Sequence, residues 1–254
     1  MKKSIFNQNK MLITLIISLL SFGISNAQSE TVEVSGFSEV TISPYIEVIF
    51  KQTDKESVII ENSKVDREKI HIEVDGKELH IYLENARIVS KEEDVKVNGR
   101  EMDRSIYNGT EVRITVNYKN LEAVEIRSEE VMNFEDAIRV EDFDLDIYGS
   151  PKVYFESITA EDLKIALYGE SYLEIKAGKA DFQRYRCYGK SEVNAVELLS
   201  SETKIAAYGN NHIVVNVSDK LKVSAFGEAR IQYKGDAKVN SGLKIGKTVV
   251  QKIK

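Results

Sequence analysis

The chain has 254 residues but only one cysteine, two prolines, three histidines and no tryptophan. A single Cys187 allows no internal disulfide, so packing must supply the stability. Cys187 falls in an apolar column and has no acid-base company in the sequence, which points to core packing rather than a nucleophile. No phosphate loop, nucleophile elbow, zinc-protease helix or dinucleotide fingerprint occurs. Helical apolar spacing is absent beyond the first 27 residues, where alternation at every second position dominates.

The one long apolar run lies at the start. Lys2, Lys3 and Lys10 precede an apolar stretch from Met11 to about Ile24, followed by Ser25-Asn26-Ala27. Charged head, apolar run and small-residue site in that order read as a secretory signal peptide over residues 1–27, with the mature chain starting at Gln28. The run is shorter than a membrane span requires, and no later stretch could act as a transmembrane segment. Without the leader, 32 basic and 41 acidic residues remain, a net charge of −9. Such a chain is a poor partner for nucleic acid. Its expected location is the periplasm, the cell surface or the extracellular space.

From residue 28 to 120 the chain reads as unequal alternating strands, among them "EVTISPYIEVIFKQ" and "KIHIEVDGKELHIYLE". Polar residues with two Asn-Gly pairs fill 86–110, an exposed excursion with the look of a projecting hairpin. From 121 to 254 a repeat takes over. Tyr-Gly recurs at Tyr148-Gly149, Tyr168-Gly169, Tyr188-Gly189 and Tyr208-Gly209, then as Phe226-Gly227. The odd positions on either side are mostly apolar, as in Leu163, Ile165, Leu167 and then Leu173, Ile175. A degenerate earlier copy surrounds Val124 and Ile126.

A twenty-residue unit cannot bury an apolar face alone, whereas stacked units share one core. The expected fold is all-β: a right-handed parallel β-helix of about six coils, each of about 20 residues, preceded by a β-rich N-terminal capping region. Glycine after each aromatic suits a sharp corner with positive φ. The aromatic follows an inward residue, so alternation turns Tyr148, Tyr168, Tyr188, Tyr208 and Phe226 outward as a ladder. That ladder is either packing or a strip on which a ligand stacks.

Two other constellations could carry chemistry. His71 and His80 flank Asp75-Gly76. A two-residue loop there sets them opposite each other beside Glu73 and Glu78, a weak candidate metal site; a four-residue loop instead pairs Glu73 with His80 and His71 with Tyr82. The bland reading is a solvated polar face, with no metal and no cofactor. Asp144 and Asp146 share an outward face with a column of Lys164, Arg184, Lys204 and Lys222, which could bind uronic sugars with an aspartate as base. More often such columns are a solvated surface that deters edge pairing.

The segments "FSEVTISPYIEVIFKQTDKESVIIENS" and "IHIEVDGKELHIYL", the repeats and the closing "RIQYKGDAKVNSGLKIG" together resemble the GIN-domain family of autotransporter-adhesin head proteins, a domain of unknown function common in Bacteroidota. The resemblance spans essentially the whole mature chain. It implies a β-helical, surface-exposed or periplasmic protein. The repeated aromatic column without an acid-base pair points to a non-enzymatic, adhesin-like interaction or structural protein, whose partner is a glycan or a cell-envelope protein. The alternative is a polysaccharide-active enzyme, a lyase or hydrolase, on the same scaffold.

Overall fold

The computed structural model describes residues 29–88, 92–97 and 100–254, with backbone alone at 92–97 and 100–104. The signal-peptide reading of residues 1–27 therefore lies outside the described residues. The N-terminal region holds β1 (Glu30–Glu33), β2 (Glu39–Ile42), β3 (Ile46–Gln52), β4 (Ser57–Ser63), β5 (Ile70–Asp75) and β6 (Glu78–Leu83). A separate antiparallel pair, β7 (Glu92–Val97) and β8 (Arg100–Ser105), follows, and then β9 (Val112–Tyr118). The repeat region comprises β10 (Ala123–Ser128), β11 (Val131–Arg139), β12 (Asp142–Gly149), β13 (Lys152–Gly169), β14 (Tyr172–Ile175), β15 (Gly178–Gly189), β16 (Glu192–Lys234) and β17 (Lys238–Lys252).

These strands wind into a parallel β-solenoid whose repeat region makes about six turns. On one wall, β10, β12, the second half of β13, β15, β16 and β17 stack in parallel. The repeat is kept in register at twenty residues: Tyr148 lies beside Tyr168, Tyr168 beside Tyr188 and Tyr188 beside Tyr208. A second wall stacks β11, the first half of β13, β14 and β16.

Alternation decides what goes inside. Phe143, Leu145 and Ile147 are fully buried, as are Leu163, Leu167, Tyr185 and Cys187. Cys187 sits between Leu167 and Ala207 in its column, and burial pushes its thiol pKa up to about 12. It is a core residue.

The N-terminal region does more than cover the first coil. β2 continues the first wall beside β10, and β3 continues the second beside β11. β6 and β9 add a further layer beyond them, again in parallel. After the edge strand β1, the chain enters the stack at β2 and β3, lays one turn outward, then crosses back to build the repeats. Only beyond β6 and β9 does the direction reverse, with β5, β4 and β1 antiparallel at the end. One core runs from Phe37 to Ile231, and Phe50, Phe134 and Phe155 stack at centroid distances of 4.2 and 3.9 Å.

At the other end Lys234, Gly235, Asp236 and Lys238 do not finish the stack. β17 adds one more layer, placing Ile245-Gly246 beside Phe226-Gly227.

Candidate functional site

The corner after each first-wall strand builds the ladder. Gly189 has φ of +116°, and a Cβ there would lie 2.4 Å from the carbonyl oxygen of Gly169 in the neighbouring turn. Glycine is therefore required twice over, by the backbone angle and by the closeness of the next turn. The preceding aromatics project from the wall. Tyr148, Tyr188 and Tyr208 are each a little over one-third exposed, and Tyr168 and Phe226 are half-buried.

The rings form an unbroken stack from Tyr148 to Phe226, with centroids 4.8, 5.0, 4.8 and 5.1 Å apart and planes within 6° of parallel. Each inner ring turns both faces toward its neighbours. What the ladder offers a ligand is ring edges and a row of phenol hydroxyls, rather than free faces. Tyr148 closes one end under Arg127, whose guanidinium lies 5.7 Å from the ring centroid and pairs with Glu125.

Beside the ladder the outward columns are charged. Asp144, Asp146, Lys164, Arg184 and Arg186 line a small depression of ≈ 210 Å³. Lys164 Nζ lies 3.2 Å from Asp144 and 3.9 Å from Asp142. The Asp146 carboxyl titrates above the ordinary carboxylate range, first because burial disfavours its charge, then because Glu125 and Asp144 repel it. Toward the start of the strands, a larger groove of ≈ 450 Å³ runs across successive turns. Phe182 stands in its wall with 51% of its surface exposed.

The histidine hairpin takes the register that pairs Glu73 with His80 and His71 with Tyr82, with Asp75 opposite Glu78. The loop is nevertheless two residues, not four: Gly76, with φ of +61°, and Lys77 make the turn, one position later than the expected Asp75-Gly76 turn that would have opposed the histidines. His71 and His80 are therefore not directly opposed. His71 stacks on Tyr82 at 4.7 Å, and the Tyr82 hydroxyl donates to Glu73 at 2.8 Å. Arg87 donates to His80 Nδ1 at 3.3 Å while His80 Nε2 contacts the Ser43 hydroxyl at 3.2 Å. Both ring nitrogens are engaged, and burial followed by the charge of Arg87 holds the His80 pKa down. Glu78 accepts from Thr41. Among the described residues no group of three or more His, Cys, Asp or Glu side chains could hold a metal ion. His212, alone in the sequence, is hydrogen-bonded to Gln232 across one turn at 2.9 Å.

Sequence reasoning missed Phe182 and the Ile245-Gly246 layer. Phe182 had a signal: it interrupts an outward column otherwise made of Asp142, Asp162, Glu202, Lys220 and Lys238.

With a glycine-cornered parallel solenoid, an aromatic ladder and an antiparallel N-terminal end on view, the comparison with known proteins decides the family. The model of the family described as "putative auto-transporter adhesin, head GIN domain" matches residues 36–237. The chain belongs to that GIN-domain family. A "putative adhesin" from Bacteroides fragilis shares the fold with a TM-score of 0.73 at 17% identity, over 89% of this chain and 96% of that one. A second "putative adhesin", from Parabacteroides distasonis, gives 0.63 at 21% identity over the same shares. A "putative lipid binding protein" from Parabacteroides distasonis gives 0.59 at 19%, again over 89% and 96%. At these identities the likeness is one of fold. No curated protein matches the chain. No helix among the described residues is long and apolar enough to cross a membrane.

Proposed function

We propose that this GIN-domain protein is an exported, adhesin-like binding module that holds a glycan or a cell-envelope protein along the first wall of its solenoid. Its leader, residues 1–27, directs it to the periplasm or cell surface, where N-terminal sequencing of the processed form should begin at Gln28. The observation that carries the reading is the ladder Tyr148, Tyr168, Tyr188, Tyr208 and Phe226, a row of part-exposed aromatics repeated turn by turn. A solenoid is stiff and extended, so the row is preorganised and little ordering entropy opposes binding. Hydroxyls at a regular spacing suit a polymer with a repeating pattern of hydrogen-bonding groups.

A second reading rests on the depression holding Asp144 and Asp146 against Lys164, Arg184 and Arg186. A raised-pKa aspartate beside cations is the arrangement by which a scaffold could take a proton from an acidic sugar. A glycan array probed with the mature protein, with chain cleavage followed in the same mixtures, separates the two. Retention without cleavage is the expected result. Shortened chains that disappear in Asp146→Asn would replace the binding reading with the enzymatic one.

A further inference from the structure

The groove toward the strand starts is chemically unlike the rest of this acidic molecule. Its two walls are successive outward columns of the same strands, one holding Asp162, Phe182, Glu202, Lys220 and Lys238, the other Arg184, Lys204, Lys222 and Asn240. Lys220 is neutralised by Glu202 and Asp219. Arg184, Lys204, Lys222 and Lys238 have no ion-pair partner among the described residues. Four unpaired cations on adjacent turns repel one another in a protein whose net charge would readily supply acids. An anionic ligand lying across the turns relieves that repulsion.

We propose that this groove binds a uronic-acid polysaccharide running along the solenoid axis. Turns lie about 4.8 Å apart, close to the advance of one sugar residue, so carboxylates carried on the sugars can meet Arg184, Lys204 and Lys222 in sequence. Phe182 supplies the complementary half of sugar recognition. It is 51% exposed and belongs to no aromatic stack among the described residues, so the apolar face of a pyranose can lie on it.

A peptide is a poorer occupant. From Phe182 to Lys222 the main-chain groups beneath the groove are already paired in the parallel ladder on both sides, and only the outer edge of β17 is open, so a ligand lying across the turns is selected by side chains. The inference rests on the reading that the first wall is a binding surface, but uses residues distinct from the tyrosine ladder.

The test is calorimetric titration of the mature protein with oligogalacturonate, oligomannuronate and oligoglucuronate, with methyl-esterified oligogalacturonate and poly-glutamate as controls. At least one uronate is expected to bind, ten-fold or more weaker after esterification and weaker with added salt. Arg184→Gln/Lys204→Gln/Lys222→Gln should cost ten-fold or more. Phe182→Ala should weaken the uronate and leave poly-glutamate unchanged. Binding to none of the three uronates, or undiminished binding by the triple variant, overturns the groove. Equal binding of poly-glutamate with no effect of Phe182→Ala reduces it to unspecific charge and overturns it as well. If a uronate binds but is lost only when Tyr168, Tyr188 and Tyr208 are changed, the groove fails while the ladder reading stands; if neither variant matters, both fail.

Discussion

Replacing Gly189 by alanine adds one methyl group and should damage the fold more than almost any surface change. The new residue must keep φ near +116°, which costs a residue with a side chain on the order of 1–3 kcal/mol. Its Cβ would also sit 2.4 Å from the Gly169 carbonyl oxygen, whereas ordinary contact begins at 3.4 Å. The neighbouring turns would have to part locally by about 1 Å, stretching ladder hydrogen bonds on both sides of the corner. Wedging a methyl into a packed site costs roughly another 1–3 kcal/mol, for a total of about 2–6 kcal/mol. For a chain of this size each kcal/mol lowers Tm by about 2–4 °C, so a fall on the order of 10 °C is expected in scanning calorimetry of the mature protein. Tyr188→Phe is the control, because it keeps the ring stack and should melt within about 0.5 kcal/mol of the parent. A Gly189→Ala protein that melts with the parent would show that the corner tolerates a side chain, and the reasoning about glycine would be wrong.

Phe50→Ala should cost about 3–5 kcal/mol and lower the denaturant midpoint in one cooperative step, because Phe50 is fully buried against Phe134 of the repeats; two separate transitions would mean that the N-terminal turns fold as an independent unit. Tyr118 is buried with its hydroxyl unpartnered and its pKa raised to about 12 by burial. The unfolded chain loses this proton near pH 10 and the folded chain holds it, so stability from this group is full below pH 10 and falls as pH climbs toward 12. Tyr118→Phe should therefore flatten the alkaline side of the stability profile and gain up to about 1 kcal/mol at neutral pH, and an unchanged alkaline fall in urea titrations would contradict the assignment. Zinc added to the mature protein should give no stoichiometric heat that His71→Ala removes, since both ring nitrogens of His80 and one carboxylate oxygen each of Glu73 and Glu78 are already hydrogen-bonded and the two histidines are not opposed; such a heat would reinstate the hairpin as a metal site.

The repeat was legible because its physics is local. Alternation fixes which residues point inward, and a Tyr-Gly corner returning every twenty residues fixes the turn length and the ladder. The order of the first turns was not legible. β2 pairs with β10 across some eighty residues, and nothing near Glu39–Ile42 marks that partner. The last layer escaped because Ile245 replaces the aromatic and the register slips between Val223 and Ala225. The hairpin register hung on whether Gly76 is the second or the first turn residue, a choice that alternation cannot make because both options keep the same apolar face. The ladder's outward direction and its stacking from turn to turn could be read from the sequence, but the parallel, face-to-face set of the rings could not. That the ring faces are spent on one another, leaving hydroxyls and edges, depends on side-chain rotamers.

That last point makes the hydroxyls the most direct test of the binding account. The variant Tyr168→Phe/Tyr188→Phe/Tyr208→Phe keeps the rings and their stacking while removing three of the row's hydroxyls. Measured beside the parent on the same glycan array, with melting curves taken on both, it should keep its Tm and lose ladder-dependent binding by ten-fold or more. Binding that survives at full strength in a protein of unchanged stability would show that the ladder is packing alone, and the first wall would lose its claim as the site.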